Sequence, residues 1–304
     1  DPDAKTNWPT KGGRSNTWDF PDEDAKDINK YFARKVMPQV KELLNQYGQV
    51  DILWFDTPEL IPKWASQELM DTIHKYQPTC IVNNRVGNGL GDYAVYEQSI
   101  VKNILPNPWE ACVTISANWA YNRHDSAWKS TNVLIRQLAT IVSKGGNYLL
   151  NLSPRGDGSF APEAINRVDS VGEWLKVNGD AIYGTTPWLV SEEIDSPQKE
   201  QKKVLTAAEK DALDAVNDAT SKEINPAIYF TKKGKFVYAI VSNPSSKEVN
   251  IKNFTSQKIP NIKSVYLLGK KKKVSFVQNK EGLQLKIPSI KTEIPVYVFK
   301  VETY

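Results

Sequence analysis

Residues 50–59 read VDILWFDTPE, and the interpretation of the whole chain turns on them. An apolar run, Ile52-Leu53-Trp54-Phe55, ends in Asp56, and Thr57-Pro58 follows as a breaker. Unbroken apolarity over so short a length predicts a strand buried on both faces, as in a parallel sheet. An acid at the carboxyl end of such a strand lies where open α/β sheets and α/β barrels carry their chemistry. A strand-end aspartate also caps turns, so Asp56 has two readings until the rest of the chain is considered.

Working outward, residues 1–20 are polar, rich in Gly, Pro and Trp and without period, which predicts a loop. A helix is expected from Pro21, with acids in its first turn and a stripe of Ile28, Tyr31, Phe32, Val36, Val40, Leu43, Leu44 and Tyr47 closed by Gly48. Pro38 within the stripe should kink it. After the central strand come a helix over 65–76 stopped by Pro78 and a second buried strand over 80–83, ending in Asn84-Arg85. A glycine-rich loop over 86–92 lacks the strand–GxGxxG–helix setting of a dinucleotide site. Residues 93–108 read as irregular, 111–115 as a strand, 131–143 as an amphipathic helix ended by Gly145-Gly146, and 148–152 as a strand. The Arg155-Gly156-Asp157 that follows reads as a tight turn. Pro162 opens a helix running to Gly179, and 181–183 is expected as a short last strand. Strand and helix alternating at this pitch predict βα units around a parallel sheet, the α/β class.

From Glu192 to Lys222 the sequence is highly charged with weak periodicity, and beyond Ile224 the period changes to two. The segments 236–241, 264–268, 283–287 and 295–301 read as short strands of an all-β sandwich. The expected organisation is therefore an α/β region over 1–190, a linker or insertion over 191–223, and a β-sandwich over 224–304.

Composition narrows the functional classes. The formal charge over 304 residues is +4, and the run Lys270–Lys273 reads as a solvated turn, so neither a nucleic-acid partner nor a membrane partner is expected. No apolar stretch approaches the roughly 20 residues of a membrane span. Two cysteines, Cys80 and Cys112, supply neither a disulfide framework nor metal spacing; buried thiols are expected, with no metal and no cofactor. The chain starts at Asp1 without methionine, which suggests that an upstream segment has been removed.

The side chains gathered at strand ends sharpen the reading of Asp56. Asp56, Arg85, Glu97 and Trp119 fall at or just beyond predicted carboxyl ends, and Glu110 just before a strand. Paired carboxylates in one pocket are what glycoside hydrolysis requires: one attacks or stabilises, the other donates and later accepts a proton. An arginine and indoles beside them suit a sugar ligand.

At this point the sequence resembles the retaining α-L-fucosidases of glycoside hydrolase family 29. The resemblance runs from about residue 1 to Trp188. It rests on ILWFDTPE, IVNNRVGNGLGDY, YEQ followed by PWEACVTISANWAY, SAWKST, SKGGNYLLNLSPRGDG and VGEWLKVNGDAIYGTTPW, in that order. The resemblance implies the C-terminal part of a (β/α)8-like barrel followed by the β-sandwich. It places the nucleophile on Asp56 and sugar-binding roles on Trp54 and Arg85, with Trp119 a further substrate-binding candidate. The acid/base falls on Glu97 or, alternatively, Glu110; Glu97 is preferred because it is expected in a loop able to reach over a pocket, whereas Glu110 beside a strand reads as structural.

The family's barrel starts with strands upstream of the nucleophile strand, bearing histidines that bond fucose hydroxyls. Here the histidines are His74, expected on a helix, and His124, expected in a loop. The resemblance thus implies an upstream barrel segment as a separate piece or an oligomer partner, since open barrel edges invite association. The expected activity is hydrolysis of terminal α-L-fucose from a fucosylated oligosaccharide or glycoconjugate through a covalent fucosyl-enzyme intermediate, in an extracellular or periplasmic setting. The rival readings are a non-catalytic fucose-binding or structural fragment, which release of nitrophenol from an aryl fucoside would exclude, and a function carried by carbohydrate binding to the β module.

Overall fold

Asp27 begins the ordered helical segment: its carboxylate accepts the Asn29 amide at 2.9 Å and caps α1 (Ile28–Tyr31). The computed structural model describes residues 3–4, 22, 24–56, 60–194, 226–287 and 294–304. The expected loop over 1–20 (apart from 3–4), Pro21, Glu23, 57–59 and, from 195 on, the expected linker lie outside the described residues. The helix expected from Pro21 starts instead at Ile28, because the Asp22 side chain takes the amides of Asp24 and Ala25 (3.0 and 3.2 Å), a local bond that competes with helix. The chain divides into two compact units, Asp1–Val95 and Tyr96–Tyr304.

In the first unit, α1 passes through a π-helical turn (Phe32–Val36) into α2 (Met37–Gln46). The expected kink at Pro38 takes this form: proline has no N–H, and its ring crowds the carbonyl four residues back, so the ladder widens just before it. Phe32, Val40 and Leu44 pack with Leu69 and Ile73 of α3 (Lys63–Tyr76) and with Val82. The central strand is shorter than its apolar run. β1 (Ile52–Leu53) pairs in parallel with β2 (Ile81–Val82), Ile52 opposite Ile81 and Leu53 opposite Val82. Burial on both faces is not observed: Ile52 and Ile81, register partners on one face, are 49% and 43% exposed among the described residues.

β3 (Ala94–Glu97) falls where 93–108 was expected to be irregular; the rest of that stretch forms turns and bends. In the second unit the end of β3 edges a sheet ordered β3-β4-β5, in which β4 (Trp109–Thr114) and β5 (Gly146–Asn151) are parallel. α4 (Thr131–Ser143) connects these two, its first turn capped by Ser130 Oγ accepting the Val133 amide. Trp109 and Gly146 are register partners. The indole of Trp109, fully buried and donating to the Lys144 carbonyl at 3.1 Å, occupies the space a Cβ at Gly146 would need, 2.4 Å away. α5 (Pro162–Asn178) has proline in its first turn and runs into a 3-10 turn (Gly179–Ala181) where a short strand was expected.

The next strand is β6 (Thr186–Ile194), which runs across residue 190 and joins an antiparallel sheet ordered β10-β13-β8-β7-β6. This sheet comprises β7 (Ala227–Lys233), β8 (Phe236–Ser242), β10 (Ile262–Leu267) and β13 (Val296–Thr303) with β6. A second sheet, β11 (Phe276–Asn279), β12 (Gly282–Lys286) and β9 (Glu248–Ile251), lies against it. Phe230, Val237, Ala239 and Val241 of the first sheet share a core with Val249, Ile251, Leu283 and Leu285 of the second, which makes the expected sandwich. The other face of the larger sheet is buried too: Tyr229, Tyr238, Ile240 and Val298 pack on Ile135 and Ala139 of α4 and Trp174 of α5. The parallel-sheet helices and the sandwich of this unit therefore share a core.

Candidate active site

Beyond Leu53 the backbone ladder between β1 and β2 stops, and side chains take over. Asn83, fully buried, accepts the Phe55 amide on Oδ1 at 2.8 Å and donates from Nδ2 to the Phe55 carbonyl at 2.9 Å. Its own backbone is fixed by a bridge to Tyr93 and by Gly91, whose φ of +114° and missing Cβ let the chain approach the Asn83 carbonyl; a Cβ there would lie 2.7 Å from that oxygen.

Two residues on, Arg85 turns back through a 3-10 turn (Asn84–Val86), and its Nη1 donates to Asp56 Oδ1 at 2.6 Å. The Arg85 guanidinium lies over the Trp54 ring, 4.9 Å from its centroid, within range of a cation–π contact. The Asp56 side chain is 56% exposed and that of Arg85 15%, so the carboxylate is open to a ligand while the cation that orients it is tucked beneath. A charge-assisted bond of this length fixes the carboxylate plane. The structure thus brings together Asp56, Arg85 and Trp54, all in the first unit.

The other candidates lie in the second unit. Glu97 is the last residue of β3 and exposed. The expectation of a loop position is corrected: an ordered turn ends the strand immediately after it. Gln98 adopts φ +47°, uncommon for a residue other than glycine. Three bonds hold it there, from its amide to the Cys112 carbonyl (2.9 Å), from Nε2 to Thr114 Oγ1 (2.9 Å), and from the Thr114 amide to Oε1 (3.3 Å). Glu110 does not precede a strand; it is the second residue of β4, opposite Asn147 of β5, near the amino end of the strand.

Trp119 lies beyond the carboxyl end of β4 and is exposed. Ser153, beyond β5, donates to the Trp119 carbonyl at 2.7 Å. Asp125 staples the same loop. Burial alone would raise its carboxyl, but hydrogen bonds from Asn118, Ser116 and the amides of Ala127 and Ala117 outweigh that and hold it below the usual carboxylate range. Nearby Arg155 sits over the Tyr121 ring at 5.6 Å. His124 is exposed and accepts from Arg123 Nε, while His74 on α3 pairs with Asp92 at 3.4 Å, as a helix-surface residue would. Cys80 and Cys112 are buried free thiols. Among the described residues no cluster of three or more His, Cys, Asp or Glu is arranged to hold a metal, and no helix is long and apolar enough to cross a membrane.

The structure holds a carboxylate against an arginine and an indole just beyond a parallel strand, and comparison with known proteins gives the family. Residues 8–180 match the family model described as alpha-L-fucosidase, and residues 220–302 that of the alpha-L-fucosidase C-terminal domain. The chain belongs to the alpha-L-fucosidase family. It is 28% identical over 287 residues to the tissue alpha-L-fucosidase of Rattus norvegicus, a match covering 90% of this chain and 54% of that protein. Alpha-L-fucosidase isoenzyme 1 of Paenibacillus thiaminolyticus superposes with a TM-score of 0.74 at 26% identity over 96% of this chain and 66% of that one. A Thermotoga maritima alpha-fucosidase structure, in complex with a mechanism-based inhibitor, gives 0.69 at 25% identity over 89% and 56%. The fold class is that of these neighbours: part of a (β/α)8-like barrel followed by a C-terminal β-sandwich. The chain spans about half the length of the curated relatives it matches.

The sequence singles out Asp56 and Arg85, and the resemblance adds Trp54, as candidates that the structure brings together, but Asn83 reads there as one more strand residue. The signal it passed over is a polar residue at the end of the apolar run Cys80-Ile81-Val82, two positions from the arginine.

Proposed function

We propose that this chain carries the catalytic carboxylates of a retaining exo-α-L-fucosidase, which releases terminal α-L-fucose from fucosylated oligosaccharides or glycoconjugates. The observation that carries this reading is the Asp56 carboxylate, held at 2.6 Å by Arg85 over the Trp54 ring in a chain of the fucosidase family. Arg85 engages Oδ1 and leaves Oδ2 for the anomeric carbon. In the first step Oδ2 bonds to that carbon as the bond to the leaving oxygen breaks, and Glu97 gives that oxygen its proton. In the second step water attacks the same carbon, its proton passes to Glu97, and the Asp56 carboxylate is released. Two inversions at one centre return the original configuration. Arg85 and the indoles of Trp54 and Trp119 supply the hydrogen bonds and apolar surface that a deoxysugar presents.

The test is direct. The purified protein should release nitrophenol from 4-nitrophenyl α-L-fucoside, and Asp56→Ala should lower turnover by about 10⁴–10⁶-fold, the range of single catalytic-residue knockouts. Azide added to that variant should restore activity and yield β-fucosyl azide, because a small anion can enter the vacated face. A protein that stays inactive when supplied with the upstream barrel segment, or an Asp56→Ala variant with wild-type turnover, refutes the proposal.

A further inference from the structure

We infer that Asn83 is a positioning residue for the nucleophile, acting by extending the strand pairing past the point where the backbone ladder ends. This rests on the reading of Asp56 as nucleophile. The ladder between β1 and β2 covers two residue pairs, Ile52 with Ile81 and Leu53 with Val82. The ladder with β2 thus ends before Phe55 and Asp56. The Asn83 carboxamide has the donor and acceptor geometry of a peptide group. It meets both the N–H and the C=O of Phe55, at 2.8 and 2.9 Å, as a paired strand residue would.

The Phe55 carbonyl belongs to the peptide plane that bears the Asp56 nitrogen, so the bond from Asn83 Nδ2 sets the orientation of the Asp56 backbone. Arg85 Nη1 sets the carboxylate. One short segment therefore holds Asp56 at both ends, Asn83 through the backbone and Arg85 through the side chain. The rigidity of Asn83 has its own source: full burial, the bridge to Tyr93, and Gly91 packed against its carbonyl. A reacting group displaced by about 1 Å loses roughly 10²-fold in rate, and a loosened Phe55–Asp56 peptide is a displacement of that kind.

The isosteric variant Asn83→Asp separates this role from a structural one. When neutral, the new carboxyl donates to the Phe55 carbonyl and accepts the Phe55 amide, as the amide does; once ionised it can only accept. The ratio of its kcat to that of wild type at the same pH should lie near one at low pH and fall about 10²-fold with rising pH. The rate of covalent labelling by 2-fluoro-fucosyl fluoride, which requires attack by Asp56, should fall in parallel. The inhibition constant of fucose, which reports Arg85 and the indoles, should move less than about threefold. Asn83→Leu, equally sized and without either bond, should show both losses at every pH. Labelling and kcat within about threefold of wild type in both variants overturn the inference. So do variants that both unfold at the assay temperature, because Asn83 then serves stability. Failure of the underlying reading shows separately, as wild-type protein labelled at a residue other than Asp56 or not labelled at all.

Discussion

Exchanging Glu97 and Glu110 in turn for glutamine separates the two candidate acids, and the structure supplies the expected size of each effect. A general acid must come within about 2.6–3.2 Å of the leaving oxygen. Glu97 ends β3, at the carboxyl end where barrel strands carry their chemistry. Glu110 stands near the start of β4, and from there to Thr114 at its end the strand rises about 13 Å at roughly 3.3 Å per residue. A single side chain does not cross that distance. Loss of general acid catalysis costs about 10²–10⁴-fold, or roughly 2.7–5.4 kcal/mol at 1.36 kcal/mol per decade. The full loss should appear only where the leaving group needs the proton. For Glu97→Gln, kcat/KM should therefore fall by that factor on phenyl fucoside and only a few-fold on dinitrophenyl fucoside, so that its dependence on phenol acidity steepens. For Glu110→Gln both rates should stay within a few-fold of wild type. The ratio kcat/KM is the quantity to follow, because it reports the first, bond-breaking step even when release of the intermediate limits turnover. A steeper dependence in Glu110→Gln with an unchanged one in Glu97→Gln would refute both the assignment and the strand-end argument behind it.

Two further perturbations probe the scaffold. Gly146→Ala would place a Cβ 2.4 Å from Cζ2 of the buried Trp109, where carbon contacts ordinarily begin near 3.5 Å. The indole must then shift by about 1 Å, with overpacking of about 1–3 kcal/mol and its bond to the Lys144 carbonyl at risk; a change below about 0.5 kcal/mol in denaturant unfolding would contradict this. The carboxyl of Glu302 is held down to about 2, from an ordinary 4.5, by hydrogen bonds from Lys235, Ser264 and Lys263. Its stabilisation is therefore fully present above about pH 4.5 and lost as pH falls toward 2, so Glu302→Gln should lower Tm at pH 7 and converge with wild type across that window; a Tm difference independent of pH would argue against it.

How far the sequence reveals this molecule depends on what holds each part together. The helix α4 was legible to the residue, because its apolar period is strong and Ser130 supplies a cap. The strands β8 and β13 were legible from alternation, to within a residue or two at their ends. β3 was not: besides its place on the sheet edge, it is pinned by side chains, the Val95 amide by Asn84 Oδ1 and the turn after Glu97 by Gln98, and such bonds have no period. The short strand expected over 181–183 failed for a related reason. Ile182 and Tyr183 are apolar, but both donate their amides to the Gly179 carbonyl, which makes a turn of them. At the site, Asp56 and Arg85 were legible as charges at the ends of apolar runs, and the resemblance gave them roles. Asn83 carries no charge, and its place at the end of the run Cys80-Ile81-Val82 is a weak signal beside its two bonds to Phe55.

Those two bonds also explain why stability and catalysis should respond to different residues here. Each neutral hydrogen bond contributes about 0.5–1.5 kcal/mol net, whereas the first unit's core is built elsewhere, from Phe32, Leu44, Leu69 and Ile73. An isosteric change such as Asn83→Asp keeps the packing and, while its carboxyl is neutral, both bonds, so it should cost little stability at low pH; the ionised form buries a charge and should cost more. If Asp56 attacks as proposed, the effect of the change on rate follows a steeper law, because a small rotation of the Phe55–Asp56 peptide would move the attacking oxygen off the anomeric carbon. Gly146 stands at the opposite extreme: it supports β4 and β5 from beneath Trp109, at the amino ends of both strands. Overpacking there should lower stability with kcat per folded molecule unchanged. Where the pairing of β1 with β2 is only two residues long, side-chain bonds beyond it position Asp56, and on the proposed role of Asp56 that is where activity should be most sensitive.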